Sequence, residues 1–285
     1  MTATSLPLIE NWVNNSYAKS SDNKIYTVVH PNTNDKPHNV VSSTFEDIDF
    51  AVESAKKAFK TWKVTTHNER RDILFNAARI LRERKEEVFE TYASELDVNH
   101  HFVEFLVAIT SDMIETAATL IVPSLTGDIP PTKRDPSVMY LCQREPLGVC
   151  LALAPWNAAT NLSIRAIVNP LAAGNTVIFR TSETTPKTHA LWGKIFADAG
   201  LPAGALNIIH SSREDTPSTI EKLISDFRIR HVSFTGSTNV GKIIGKLSGN
   251  YLKPCILEVS KGIPFYKFLI LLINYIFSLE VNALY

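Results

Sequence analysis

Residues 151–183 read LALAPWNAATNLSIRAIVNPLAAGNTVIFRTSE. The apolar run 149–154, which leads into this stretch, suits a strand buried on both faces, and 176–179 is a second such run beyond a helix-length segment. Two buried strands joined through a helix make a βαβ unit. Pro155, Trp156 and Asn157 fall where the first strand ends, and the four residues Arg180, Thr181, Ser182 and Glu183 fall where the second ends. In an open parallel sheet those ends form the rim where ligands bind.

Downstream, 186–199 has the pattern of a helix, with Thr185 positioned to cap its start and Gly200 to end it. Short apolar runs at 206–210 and 231–235 flank a helical segment at 217–227, and 255–259 supplies a fifth strand. Strands alternating with helices predict an α/β fold with a doubly wound parallel sheet.

Upstream, residues 8–41 read as short strands and turns, with His30-Pro31-Asn32-Thr33-Asn34 as the turn signal. Ile48, Val52, Ala55, Ala58 and Phe59 recur at helical spacing within 45–64, where Ser43 or Thr44 stands at the capping position. A second helix is predicted over 68–85, and a helical pattern continues from 88 to 125. The charge run 82–87 reads as a solvated helix end. His100 and His101 are adjacent, point in different directions on a helix and make a poor pair of metal ligands. Residues 127–136 form a loop, followed by a strand over 138–144.

The run Phe234-Thr235-Gly236-Ser237-Thr238-Asn239-Val240-Gly241 is the most specific motif of the chain. Glycine at a strand end lets the backbone approach a ligand, and a following helix offers free amides and a positive dipole end to a pyrophosphate. Residues 236–242 also satisfy Gly-x-x-x-x-Gly-Lys, the start of a P-loop, which makes a nucleotide triphosphate-binding protein the alternative. Ile243 stands where the magnesium-binding Ser or Thr belongs, and an aliphatic side chain cannot take that role. No Gly-x-Gly-x-x-Gly fingerprint follows a strand, so a standard Rossmann dehydrogenase is disfavoured.

Lys plus Arg and Asp plus Glu each count 29, giving a formal net charge of zero, so composition points neither to nucleic acid nor to an anionic membrane. Cys142, Cys150 and Cys255 are an odd, widely spaced set without metal-ligand spacing, as in a reducing compartment. No secretory signal opens the chain, and the cytoplasm is the expected location. No metal site is predicted.

The motifs at 155–157, 180–183, 234–241 and 257–258 together resemble the aldehyde dehydrogenase superfamily. There the Pro-Trp-Asn asparagine donates its amide to the oxyanion of the tetrahedral intermediate, a role the resemblance gives to Asn157. Leu257-Glu258 matches the start of Leu-Glu-Leu-Gly-Gly-Lys, whose glutamate is the general base for thioester hydrolysis, a role that passes to Glu258. The same comparison assigns Pro155, Trp156, Arg180, Ser182, Glu183, Gly236, Ser237, Val240 and Gly241 to cofactor binding. Arg180 replaces the family's lysine, Glu183 faces the adenosine ribose, and Ser237 touches the phosphates. The implied cofactor is NAD, with NADP possible: a carboxylate near the ribose repels a 2′-phosphate, while Arg180 argues the other way. The implied reaction is oxidation of an aldehyde to a carboxylic acid, and the wording of 144–158 and 171–183 is closest to relatives acting on aromatic aldehydes such as salicylaldehyde or vanillin.

The match covers about 8–258, a nucleotide-binding domain with a hairpin-arm-like segment at 127–147, and breaks in mid-motif. Val259-Ser260-Lys261-Gly262 replaces Leu-Gly-Gly-Lys, and 259–285 is an apolar tail containing FLILLINYIF, too short for a confident membrane span. Val-Ser is what an in-frame splice donor encodes, so the tail is expected to be translated intron. The catalytic domain with its nucleophilic cysteine is expected to be missing, leaving a catalytically dead fragment or, alternatively, a non-catalytic dinucleotide- or subunit-binding chain. The family's homo-oligomers are in doubt for such a fragment.

Overall fold

The computed structural model describes residues 6–132, 135 and 137–260. Two cores sit on opposite faces of one twisted sheet. Its centre is three strands without an exposed residue, β6 (Val149–Leu153), β7 (Thr176–Arg180) and β8 (Leu206–Ile209). Side chains alternate across them. Leu151, Ile178 and Ile209 enter a core with α1 (Phe45–Trp62), α8 (Thr216–Ser225) and α9 (Thr238–Asn250). Ala152, Phe179 and Ile208 enter the other, with α2 (His67–Glu83), α3 (Lys85–Glu95), α4 (His100–Thr119), α6 (Ala159–Ala172) and α7 (Pro186–Asp198). Both faces are covered, which is why these strands read as unbroken apolar runs.

With β9 (Ile229–Ser237) and β10 (Cys255–Ser260), and with β2 (Asn11–Val13) and β3 (Ser16–Ala18) on the far edge, the strand order is β10-β9-β6-β7-β8-β2-β3. The five strands read from the sequence all form and all run parallel. The chain winds from β6 outward through β7 and β8, then returns to lay β9 against the other side of β6. That reversal makes the C-terminal ends of β6 and β9 the switch point, where a doubly wound sheet binds its ligand.

The amino-terminal strands add what periodicity could not show. β2 joins the main sheet antiparallel to β8 through Trp12 and Ile208, and turns into β3 through Asn14 and Asn15, both at positive φ as a tight hairpin of this hand requires. β1 (Leu8–Ile9), β4 (Ile25–Thr27) and β5 (Asn39–Val41) form a separate small sheet. Thr44 caps α1 with a full capping box shared with Asp47, and Thr66 does the same for α2 with Glu69.

Three expectations change. The predicted helix over 68–85 ends at Glu83, and the charge run 82–87 straddles a junction at which Arg84 closes α2 and opens α3. The continuous helical pattern over 88–125 is broken at 96–99: Leu96 is extended, and Asn99 restarts the helix by accepting the Phe102 amide at 2.8 Å. A last short helix, α5 (Ile121–Leu125), follows α4. The strand predicted over 138–144 is not formed. Its one ladder contact is an isolated bridge between Cys142 and Asp128, because no strand among the described residues lies alongside to complete the pairing. β10 runs on through Val259 and Ser260, while the rest of the apolar tail, 261–285, lies outside the described residues.

Candidate functional site

Register brings the motifs to one edge. Arg180 on β7, Leu153 on β6, Phe234 on β9 and Leu257 on β10 stand in one row across four parallel strands. The residues that follow each of them therefore emerge side by side: the Asn157 turn, Ser182 and Glu183, Gly236 and Ser237, and Glu258.

The turn at 155–157 is held from below. Tyr92 of α3 is fully buried, with its hydroxyl 3.1 Å from the Trp156 carbonyl and 3.0 Å from the Asn157 carbonyl, while accepting the Ala159 amide at 3.1 Å. Burial raises the phenol's pKa, so it stays a donor. One side chain thus fixes the backbone between the end of β6 and the first residue of α6. Asn157 and Trp156 themselves are exposed, free to face a ligand. Nothing in local sequence marks Tyr92, which sits on the buried face of a helix sixty-odd residues upstream.

The second motif is equally tied. Arg180 is buried, its side chain 9% exposed. Its Nε donates to Ser211 Oγ at 2.9 Å, and its Nη2 donates to the Ser211 carbonyl, to Thr216 Oγ1 and to Glu183 Oε2 at 3.2 Å. The guanidinium the resemblance assigns to the ribose is thus turned inward, neutralised by Glu183, whose carboxylate remains about one-third open to solvent. Ser182 is buried and donates its amide to His189 Nδ1 at 3.0 Å. His189 therefore carries its proton on Nε2, which finds no partner. Burial depresses its pKa to about 3. His210, bonded to the Thr181 hydroxyl and to the Glu10 carbonyl, is depressed to about 4, again chiefly by burial.

Beneath these residues Glu95, with no exposed surface, accepts the Lys187 amide at 2.7 Å, the Thr188 amide at 2.9 Å and the Thr188 hydroxyl at 2.6 Å, and pairs with His38 Nε2 at 3.0 Å. A carboxylate from α3 thus caps the amino end of α7. Thr185 occupies the capping position read from the sequence, but its hydroxyl makes no cap bond.

At the β9–α9 junction no loop intervenes. Gly236 and Ser237 are the last residues of the strand, Thr238 opens the helix, and Ser237 caps it by accepting the Val240 amide at 3.4 Å. This junction leaves no room for the phosphate-wrapping loop of a P-loop, so the Gly-x-x-x-x-Gly-Lys match is coincidental. The glycines have packing reasons as well. A Cβ on Gly236 would lie 2.5 Å from the Phe234 ring, and one on Gly241 would lie 2.3 Å from Val259 Cγ1, where α9 crosses β10. Val240 is exposed beside them.

Glu258 lies on the fifth strand read from the sequence, but that strand is not buried. β10 is an edge strand with alternating exposure, and the Glu258 side chain is 53% exposed on its open face. It pairs with Arg165 of α6 and lies 3.5 Å from Thr235 Oγ1, its neighbour in register, at one end of a pocket of about 320 Å³. Arg165 is a second partner that sequence reading did not single out.

The cysteines stand apart from this rim. Cys150 lies inside β6, its thiol pushed up to about 12 by burial. Cys255 is on the face of β10 opposite Glu258, and Cys142 is in the loop before β6. Among the described residues no cluster of His, Cys, Asp or Glu could hold a metal ion, and no helix is long and apolar enough to cross a membrane.

Comparison with known proteins agrees with this geometry. Residues 17–262 match the model of the aldehyde dehydrogenase family. The chain is 39% identical over 246 residues to a vanillin dehydrogenase of Pseudomonas sp. (strain HR199 / DSM 7063), covering 86% of this chain and 50% of that protein. It is 36% identical over 253 residues to a salicylaldehyde dehydrogenase of Pseudomonas putida, covering 89% and 52%. The crystal structure of a salicylaldehyde dehydrogenase from Pseudomonas putida G7, complexed with salicylaldehyde, superposes with a TM-score of 0.86 at 35% identity over 89% of this chain and 52% of that one. The chain spans about half the length of the relatives it matches. With the family's motifs aligned in register along one sheet edge, the chain belongs to the aldehyde dehydrogenase family.

Proposed function

We propose that this chain is the nucleotide-holding part of an NAD-dependent oxidoreductase that converts an aldehyde to a carboxylic acid. The observation that carries the reading is the single row of strand ends at the switch point, with the Asn157 turn fixed by Tyr92 at its centre. In this role the α9 amino end and Ser237 meet the pyrophosphate, and Glu183 meets the ribose hydroxyls. The exposed Asn157 amide is the donor for the oxyanion that develops on the aldehyde oxygen, and Glu258 is the base that takes a proton from the hydrolytic water. The bound nicotinamide supplies the hydride acceptor. NAD is preferred to NADP because the outward group at the ribose position is the Glu183 carboxylate, while Arg180 is engaged inside the protein.

An aromatic aldehyde of the vanillin or salicylaldehyde kind is the proposed substrate class, on the strength of the relatives' names. The family's attacking thiolate has no counterpart among Cys142, Cys150 and Cys255, so that group has to come from outside the described site. The same observation favours a second reading, a dinucleotide-binding chain without turnover of its own. Three free cysteines without a disulfide suit the cytoplasm, and self-association is proposed by analogy with the family.

Calorimetric titration separates these readings. Saturable NAD binding is expected, with NADP weaker and Glu183→Gln narrowing the gap between them. Protection by ATP with magnesium in place of NAD, or no dinucleotide binding at all, would overturn the proposal. NADH formation from NAD and benzaldehyde-type substrates by the chain alone would overturn the reading without turnover.

A further inference from the structure

At the end of the sheet opposite Asn157, a pocket of about 380 Å³ opens between the close of α1, the first turn of α2, the close of α6 and the segment leading into β6. Lys63, His67, Arg70 and Arg144 line it, against Glu145 as the carboxylate of the lining.

Arg70 is the central group. It is 3% exposed, yet its hydrogen bonds go to uncharged acceptors. Nε donates to the Ala172 carbonyl at 3.1 Å, and Nη1 donates to the Thr65 carbonyl at 2.8 Å and to Thr65 Oγ1 at 3.3 Å. The adjacent acid, Glu69, turns its carboxylate to the capping residue Thr66 instead. The Ala172 carbonyl belongs to the closing turn of α6, whose dipole end offsets part of the charge, and the Thr65 carbonyl to the turn that links α1 to α2. That task uses Nε and Nη1 and leaves Nη2 without a hydrogen-bond partner among the described residues. Nη2 is not among the atoms sealed from solvent, so an anion entering the pocket can reach it, and a largely buried cation hydrogen-bonded only to neutral groups favours such a partner.

The surrounding groups favour such an anion. The Lys63 ammonium lies 5.6 Å from the centre of the Phe59 ring, with no carboxylate against it among the described residues. Arg144 donates to the Ser124 carbonyl at 2.8 Å, and its acidic neighbour, Asp128, is 3.9 Å away. The first-turn amides of α2 beyond the one capped by Thr66 add their partial positive charge.

We propose that this pocket is a binding site for a small phosphate-bearing anion, separate from the nucleotide rim at the other end of the strands. Arg70 offers a planar donor edge and Lys63 a mobile point charge, the combination that recognises a phosphate. The volume falls in the range of small-ligand sites.

The test is a titration of inorganic phosphate into the full chain at low ionic strength, followed by ³¹P NMR and calorimetry, with and without saturating NAD. One-to-one saturable binding is expected, undisturbed by NAD and weakened at least tenfold in the double variant K63E/R144E, which alters only exposed side chains. Arg70→Lys is expected to weaken it too, but that change also loosens the α1–α2 turn and the close of α6, so the exposed pair decides. Absence of saturable binding, binding untouched by the double variant, or displacement by NAD would each overturn the proposal, the last by moving the phosphate to the β9 rim.

Discussion

At the end of β6 the Trp156 and Asn157 carbonyls share one buried phenol, and at the end of β7 Arg180 distributes its donors over Ser211, Thr216 and Glu183. At the end of β10, by contrast, Glu258 stands on an open strand edge and meets Arg165 and Thr235 in solvent. The proposed oxyanion donor and ribose ligand rest on a preformed scaffold. The proposed base does not. The difference follows from position: β6 and β7 are central and covered on both faces, so polar groups there must be satisfied internally, whereas an edge strand leaves that to water.

The sharpest way to break this contrast is Glu95→Ala. It strips a buried acceptor from two α7 amides, the Thr188 hydroxyl and His38 at once, and is expected to cost about 3–5 kcal/mol in urea unfolding. A loss below about 1 kcal/mol would show that the scaffold does not depend on this cap.

Acid should act next. His189 and His210 have folded pKa values of about 3 and about 4, below the 6.5 of the unfolded chain. Their contribution is full above pH 6.5 and is lost as pH falls toward those values, by at most about 1.4 kcal/mol per pH unit for each histidine. The melting temperature should therefore drop between pH 6.5 and 4.5, and His210→Gln should flatten the profile. A pH-independent melting curve for the native chain contradicts the neutral buried pair.

Tyr92→Phe removes the one hydroxyl beneath the Asn157 turn and is expected to cost about 1–2 kcal/mol. Amide exchange should quicken at 156–159 and stay slow in β6. Unchanged exchange there would mean that packing alone fixes the turn. Smallest of all, Glu258→Gln should shift stability by less than about 1 kcal/mol, because an exposed ion pair contributes little. A larger loss would show the edge to be as rigid as the centre.

How much of this was legible depended on the range of the interaction. The three central strands were readable because burial on both faces forces an apolar run of limited length, and Thr44 stood among the two candidate caps of α1 because its capping box with Asp47 is complete within four residues, whereas Thr66 was not singled out. The break at 96–99 was missed because neighbouring helices share one apolar pattern and Asn99 gives only a short-range capping signal. The strand at 138–144 was over-read, since β propensity says nothing about whether a partner lies alongside.

The site divides in the same way. Asn157, Glu183, Ser237 and Glu258 could be named because their motifs are local and their family is shown. That Arg180 points inward could not be seen, because the acceptors that draw it inside, Ser211 and Thr216, are 31 and 36 residues away in sequence. Tyr92 and Glu95 were equally hidden, since each meets its acceptors or donors only after α3 has packed beneath β6 and α7.

By itself, then, the amino-acid order determined the alternation of strands and helices and which residues stand at the strand ends, because periodicity and motif position are properties of contiguous chain. Only the packed tertiary structure decided which of those residues are fixed and which stand free. Desolvation forces each covered polar group to find a partner elsewhere in the fold, and no short stretch of sequence records where that partner comes from.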